Sequence, residues 1–336
     1  MSNKLRVGII FGGKSAEHEV SLRSAQNVID ALDKEKYEPV LIRVEKNGEF
    51  PVAFTPEHGA LICDVAFPVL HGPFGEDGTV QGMLKLANIP FVGASVLGSA
   101  VGMDKDVMKR LLRDAGLPIG KFLVVRGGET CVYADTVATL GLPLFVKPAN
   151  LGSSVGISKV RNEEEFYRAI ADAFLYDRKI LLEEFIKGRE IECAVLGNEQ
   201  PVASVPGEII PHHEFYSYEA KYLDENGAGL ETPANLSDDL IQKVQTLAVR
   251  AFRVLECEGL GRVDFFLKPN DDVVINEINT IPGFTSISMY PKMWEASGMS
   301  YTQLVDRLIE LALERFAKEQ KLKTSVSYST PINTFS

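Results

Sequence analysis

The first hundred residues alternate between two hydrophobic periods, and that alternation limits the possible folds more than any other feature of the chain. LRVGIIF (5–11) is a short apolar run of the kind buried on both faces, SLRSAQNVIDAL (21–32) carries apolar residues at helical spacing, and YEPVLIRV (37–44) returns to strand character. DVAFPVL (64–70) reads as a third strand, HGPFGEDG (71–78) as a glycine-rich loop, TVQGMLKLA (79–87) as a helix and IPFVG (89–93) as a fourth strand. Such β-α-β succession predicts an α/β region with an open parallel sheet and helices on both faces. The helix-patterned MDKDVMKRLLRDAG (103–116) closes it.

From about Gly120 the texture changes to strand pairs, so this part reads as α+β. PLFVKP (143–148) and VGISKV (155–160) flank a glycine and serine loop, EFYRAIADAF (165–174) is helical, and KILLEEFI (179–186) and EIECAVLG (190–197) are strands. A polar loop of about 30 residues is expected from Pro206, then a helix near DLIQKVQTLAVRAFRVL (239–255) and a hairpin. YTQLVDRLIELALERF (301–316) is an amphipathic helix, and the Ser/Thr-rich tail after Lys321 is expected to be disordered. A chain of 336 residues with 45% hydrophobic content has material for two or three domains. Its net charge of -11, with 35 Lys and Arg against 46 Asp and Glu, disfavours nucleic acid or an anionic membrane as partner. An anionic substrate then needs a local basic pocket. Cys63, Cys131, Cys193 and Cys257 are widely spaced with no CxxC pair, which suggests neither disulfides nor a zinc site. No leader or membrane-length apolar run is found, and a cytoplasmic location is expected.

The hairpin GRVDFFLKPNDDVVINEIN (261–279) can be put in register by arithmetic. A turn centred between Asn270 and Asp271 makes paired positions sum to 541, so Asp264 faces Glu277 and Arg262 faces Asn279. All four side chains then share one face. Opposed carboxylates destabilise a sheet unless something neutralises them. Oxygen donors from Asp264, Glu277 and Asn279, without His or Cys, suit Mg²⁺, which completes its shell with water and phosphates. The competing reading is a solvated face or a ladder of Arg and carboxylates.

Phosphates require a nucleotide loop, and two candidates exist. GIIFGGKS (8–15) matches the Walker A spacing, but Ile9, Ile10 and Phe11 continue the strand and leave too little loop. KPANLGSSVG (147–156) places small residues behind Lys147 between two strands, which lets backbone amides approach phosphate closely. Glu183 and Glu184 end an apolar strand before Phe185 and Ile186, where backbone can read an adenine edge, and Glu190 can accept from ribose hydroxyls. Each taken alone reads as a surface carboxylate.

The ordered set GGKSAEHEVSL, LHGPFGEDGTVQG, MDKDVMKRLL, GLPLFVKPANLGSSVGISKV, KGREIECAV, FYSYEAKY, GRVDFF and NEINTIPGFTSISMYP resembles the D-alanine:D-alanine ligases of the ATP-grasp superfamily. The resemblance runs over residues 4 to 318, apart from about 43–62 and 124–138. It implies an N-terminal α/β domain (1–104) followed by a two-part ATP-grasp module (105–188 and 189–320, the latter with a lid loop), then the tail 321–336. It implies ATP as cosubstrate and two Mg²⁺ ions, replaceable by Mn²⁺, at Asp264, Glu277 and Asn279. Lys105, Lys147, Ser153, Ser154 and Lys221 are implied at the phosphates, and Glu183, Glu184, Ile186 and Glu190 around adenosine. For D-alanine it implies Glu17, with Ser153 and Tyr222, at the first amino group, His71 near the first carboxylate, and Ser288 and Met289 at the second carboxylate. Arg262 and the Gly283 N–H are implied at the oxyanion, Tyr222 as favouring an amine over D-lactate, and a homodimer as the assembly. His212 and His213 read as solvated. A D-lactate- or D-serine-joining relative, a P-loop phosphotransferase and a non-catalytic nucleotide sensor are the alternatives.

Overall fold

The computed structural model describes residues 4–50, 62–211 and 228–323. His212, His213, Lys221, Tyr222 and the tail after Lys323 lie outside the described residues. No described helix is long and apolar enough to cross a membrane, and all four cysteines are free thiols.

Strand β1 (Leu5–Gly12) is central in a parallel sheet, between β2 (Tyr37–Val44) and β3 (Val65–Pro68). Its Val7, Ile9 and Ile10 are fully buried, as the unbroken apolar run predicts. Helices α1 (His18–Ala31) and α2 (Thr79–Leu86) follow β1 and β3. IPFVG is not a fourth strand. It makes one parallel bridge, Ala66 to Phe91, with Ala66 N–H donating to Pro90 O at 2.8 Å and Val92 N–H to Ala66 O at 2.9 Å. Pro90 has no N–H to extend a ladder, and the buried Arg315 guanidinium donates to Phe91 O at 2.7 Å and Gly93 O at 2.6 Å. The helix expected from Met103 is also divided: α3 (Val96–Met103) ends at Asp104, whose carboxylate caps α4 (Lys105–Asp114) by accepting from Asp106 N–H and Val107 N–H, both at 3.1 Å.

A second, antiparallel sheet orders β4 (Phe122–Arg126), β7 (Lys179–Glu184), β5 (Leu144–Pro148) and β6 (Ser158–Val160). Helices α5 (Tyr133–Leu140) and α6 (Glu163–Ala173) cover one face through a core that includes Val146, Phe166 and Leu182. The third sheet runs β11 (Ala228–Glu231), β10 (Gly207–Pro211), β8 (Arg189–Gly197), β12 (Gly259–Leu267), β13 (Val273–Asn279), and β9 (Val202–Ala203) pairs with β8. The loop expected from Pro206 is therefore corrected in part: Gly207–Pro211 and Ala228–Glu231 are the antiparallel strands β10 and β11. GEIIP forms a strand because buried Ile209 anchors one face while Ile210 faces out.

Helix α7 (Asp238–Val254) packs on the third sheet, and α8 (Met289–Ala296) leads to α9 (Tyr301–Glu319). A capping box of Ser300 and Gln303 starts α9. Its Leu304, Val305, Leu308 and Ile309 share one hydrophobic core with Val7, Ile9 and Phe67 of the parallel sheet and with Ala194 and Leu260 of the third. One helix thus ties the first hundred residues to the strands that carry the candidate site.

The hairpin β12–β13 pairs Arg262 with Asn279 and Asp264 with Glu277, as the arithmetic expects. The expected turn centre is wrong, however. Beyond Asp264 the register shifts: Phe265 pairs with Ile275 and Leu267 with Val273, which centres the turn on Asn270. Asp271 supplies the left-handed residue at φ 62°. An odd-length turn alone would send Glu277 to the opposite face. A β-bulge at Asn276 absorbs the extra residue and restores the pairing where the polar side chains stand.

Candidate active site

Two charge clusters, one buried and one half-buried, lie between the second and third sheets. In the first, Glu183 at the end of β7 meets Lys147 of β5 at 2.7 Å and Lys109 of α4 at 3.4 Å. Lys109, 3% exposed, also donates to Asn276 O at 3.3 Å, so the bulge of β13 is held by the same cation. Burial pushes Glu183 up, but the two lysines outweigh it and hold the carboxylate below its usual range. Burial also pushes Lys147 down, and Glu183 with Glu277 outweighs that and raises it. For Lys109 burial wins: its ammonium is depressed despite Glu183, with Lys147 adding repulsion. Breaking this triad would leave an uncompensated charge where water cannot reach.

The second cluster lies on the third sheet. Arg262 donates to Asp264 in bidentate fashion, Nε to Oδ1 and Nη2 to Oδ2, both at 2.7 Å, and lies 3.2 Å from Glu192 Oε2. Burial alone would favour losing the proton, but Asp264 and Glu192 keep the guanidinium firmly charged. Asn279 donates to Asp264 Oδ2 at 2.9 Å, and Lys105 lies 3.4 Å from Glu277 while donating to Leu151 O at 2.6 Å. Lys105 therefore joins the hairpin to the loop 149–157. In that loop Ser153 and Ser154 hold φ of 51° and 61°. Side chains at such angles cost energy and persist where the surroundings dictate them.

At the end of β7, the Glu184 carboxylate accepts from Lys121 N–H at 2.7 Å, and its own N–H donates to Lys121 O at 3.1 Å. Lys159 sits over the Phe185 ring at 4.6 Å, and the Phe145 and Phe185 rings are 6.2 Å apart. Ile186 Cδ1 would lie 2.9 Å from any Cβ added at Gly120. Glu190 projects from β8 opposite Phe266 of β12.

The loops at the carboxyl end of the parallel sheet converge on Glu17, the N-cap residue of α1. A Cβ at Gly72 would meet Glu17 Oε2 at 3.1 Å and one at Gly152 would meet it at 3.8 Å, so three loops close around this carboxylate. His71 is buried, which depresses its pKa although Glu17 opposes this. Its Nδ1 can only donate to Ile281 O, at 3.0 Å, so Nε2 accepts from the Ser24 hydroxyl at 3.1 Å. Glu76 accepts from Gly72 N–H at 2.7 Å and Ile281 N–H at 3.2 Å, and burial together with Glu17 pushes its carboxyl up to about 8. Further along, a Cβ at Gly283 would come 2.8 Å from Ser288 Oγ. Ser288 precedes α8, and its hydroxyl accepts from Thr285 N–H at 3.0 Å. The Met289 side chain is in the core, so only its backbone can face a ligand.

Lys109, Glu76 and Glu192 escaped the sequence reading. Lys109 lies four residues after Lys105 on α4, on the same helix face, and Glu192 two after Glu190 on the same strand face. Those spacings were the available signals. GIIFGGKS is excluded as a phosphate loop: Gly8 to Gly12 are strand, Gly12 N–H donates to Ser21 Oγ at 2.8 Å, and Gly13 N–H donates to Val44 O at 2.9 Å. Lys14 is exposed. Lys14→Ala is expected to keep more than about half of wild-type turnover, as exposed substitutions usually do; a loss of nearly all turnover in an ADP-release assay would restore the P-loop reading.

Two family models match the chain: D-ala D-ala ligase C-terminus over residues 111–310, and D-ala D-ala ligase N-terminus over residues 6–60 and 51–94. A D-alanine--D-alanine ligase of Oceanobacillus iheyensis is 53% identical over 363 residues, covering 96% of this chain and 99% of the relative. Among solved structures, the VanG D-Ala:D-Ser ligase of Enterococcus faecalis matches with a TM-score of 0.85 at 36% identity, over 92% of this chain and 100% of that one. The D-alanine--D-alanine ligase of Bacillus anthracis complexed with ATP matches with a TM-score of 0.80 at 31% identity, over 94% and 99%. With one parallel sheet, two antiparallel sheets enclosing buried charge, and these matches over nearly its whole length, the chain belongs to the D-alanine--D-alanine ligase family, of ATP-grasp fold.

Proposed function

We propose that this chain is an ATP-dependent ligase that joins two D-alanine molecules into D-alanyl-D-alanine, releasing ADP and phosphate, for peptidoglycan precursor synthesis. The observation that carries the reading is the single polar face Arg262, Asp264, Glu277, Asn279, linked through Lys105 to the loop behind Lys147. The γ-phosphoryl group passes to the carboxylate of the first D-alanine; the amine of the second attacks the resulting acyl carbon, and phosphate leaves. Lys105, Lys147 and Lys221, with Ser153 and Ser154, hold the phosphates. Glu183, Glu184, Ile186 and Glu190 surround adenosine, with Glu183 acting partly by keeping Lys147 charged. Glu17, set with Ser153 and Tyr222, takes the first amino group. His71, held in one tautomer by Ile281 and Ser24, orients the first carboxylate. The Ser288 hydroxyl and the Met289 backbone N–H receive the second carboxylate at the start of α8. Arg262 and the Gly283 N–H stabilise the oxyanion of the tetrahedral intermediate.

The donor set fits two Mg²⁺ ions, or Mn²⁺ in their place: Asp264 stands directly opposite Glu277, with Asn279 on the same face and the Arg262 guanidinium held by Asp264. When bound, the cations neutralise phosphate charge. Asp264, Glu277 and Asn279 would hold the cations, and for that Asp264 would give up part of its bond to Arg262 and Asn279 would present its amide oxygen in place of its Nδ2–H. Asn279→Ala is expected to raise the Mg²⁺ concentration for half-maximal activity about tenfold with little change in Tm. A titration unchanged by the substitution removes Asn279 from the site.

ADP release measured against D- and L-amino acids, D-lactate and D-serine, with the product identified, tests the whole reading; turnover without D-alanine overturns it. The likeness to a D-Ala:D-Ser ligase makes D-serine the second reading for the second substrate. We further propose a cytoplasmic homodimer acting on small molecules, without nucleic-acid or membrane partners. The division into 1–104, 105–188 and 189–320 is supported by one sheet in each part.

A further inference from the structure

Three carboxylates stand in one row across neighbouring strands of the third sheet. Glu192 on β8 pairs with Asp264 on β12, and Asp264 pairs with Glu277 on β13. Like charges placed directly opposite are destabilising. Asp264 and Glu277 are accounted for by the cation site, but Glu192 is not. It stands two strands from Glu277, about 9–10 Å at the backbone, too far to share one ion with it. Among the described residues, no three His, Cys, Asp or Glu side chains are arranged to hold a metal.

Glu192 is turned toward Arg262. Its Oε2 is 3.2 Å from Arg262 Nε, and the residue is 8% exposed. On its other side Gly207 pairs with it and carries no side chain; a Cβ there would meet Met289 Cε at 2.2 Å, so that position is filled from the core. Yet Arg262 already has a full partner, since Asp264 takes two of its N–H groups at 2.7 Å. Glu192 adds a second negative charge beside a guanidinium whose Nε–H and Nη2–H are already taken by Asp264. It becomes necessary if Arg262 must part from Asp264.

We infer that Glu192 is a positioning residue that holds Arg262 while Asp264 turns to a divalent cation, so that one guanidinium is handed between two carboxylates without leaving the site. The inference rests on the proposed cation site at Asp264. In the cation-free arrangement Arg262 competes with the metal for Asp264. Glu192 weakens that competition by offering the guanidinium an equivalent charge one strand away. It also keeps Arg262 within reach of the oxyanion position after the exchange.

The test is direct Mn²⁺ binding without turnover, with saturating ADP, followed by the loss of the free-ion electron paramagnetic resonance signal. Glu192→Gln keeps the shape and removes the charge, and it is expected to weaken Mn²⁺ binding about five- to tenfold, the scale of one partly buried ion pair. Glu192→Asp, which withdraws the charge by one methylene, should fall between the two and serves if the Gln variant folds poorly. The deciding arm is the background Arg262→Met. With no guanidinium to hand over, adding Glu192→Gln should change Mn²⁺ affinity less than about twofold, because the two residues act as one unit. An undiminished effect in that background would mean that Glu192 acts as a diffuse negative charge, and would overturn the inference. So would unchanged binding in both Glu192 variants. Asp264→Asn separates the two readings: if it binds Mn²⁺ as the wild type does, the cation site itself is wrong, whereas loss of binding there with an inert Glu192 removes only the handover.

Discussion

Arg262→Ala is expected to lower kcat by about 10²-fold or more, the usual cost of losing a preorganised oxyanion donor, while KM for ATP changes little. Arg262 is half-buried against Asp264 and Glu192, so its charge is fixed before any substrate arrives. A donor already desolvated and oriented need not reorganise as charge develops. Its removal leaves Glu192, Asp264 and Glu277 in a row with one cation fewer. The variant should therefore bind Mn²⁺ at least as well as the wild type, although it turns over slowly. Steady-state kinetics with saturating Mg²⁺ checks the first part. A defect confined to KM for ATP would make Arg262 a phosphate ligand and end its assignment to the oxyanion.

Glu183→Ala is expected to cost about 3–5 kcal/mol of stability, because it strands Lys109 and Lys147 without their shared carboxylate. Thermal unfolding followed by circular dichroism at pH 7 should show the loss directly. Its pH dependence follows from Lys109. In the folded protein this ammonium is already depressed below its usual value by burial; without Glu183 it falls further, and Lys147 loses the main charge that offsets its own burial and holds it above its usual value. A lysine with a depressed folded pKa binds fewer protons when folded than when unfolded. Stability then rises with pH between the folded pKa and the ordinary value near 10.4. The deficit of Glu183→Ala should thus shrink from pH 7 toward pH 10, where the stranded ammonium groups can deprotonate. A pH-independent loss would mean that the cost comes from packing rather than charge.

Residues near in sequence were legible because their geometry is local. Register at Asp264 and Glu277 follows from the two-residue period of a strand and a short connection, and β1 follows from an unbroken apolar run. The same reasoning placed the turn centre half a residue away and was rescued by a bulge it did not foresee. A bulge is stabilised from outside the hairpin, here by Lys109 donating to Asn276 O from α4, a contact across 167 residues. IPFVG failed as a strand for a similar reason: its carbonyls are taken by Arg315 from the far end of the chain.

By itself, the order of residues determined the succession of elements, the shared face of the hairpin donors and the family to which the motifs point, since each depends on spacing within one segment. Only the tertiary structure decided which charges meet. Lys109 and Glu183 are 74 positions apart, and Arg262 and Glu192 are 70 apart. Whether such pairs touch depends on how the sheets dock and which strands become neighbours. Burial then sets their energies, because the same acid and base exposed to water would interact by about 1 kcal/mol at most, whereas enclosed between sheets they fix each other's charge.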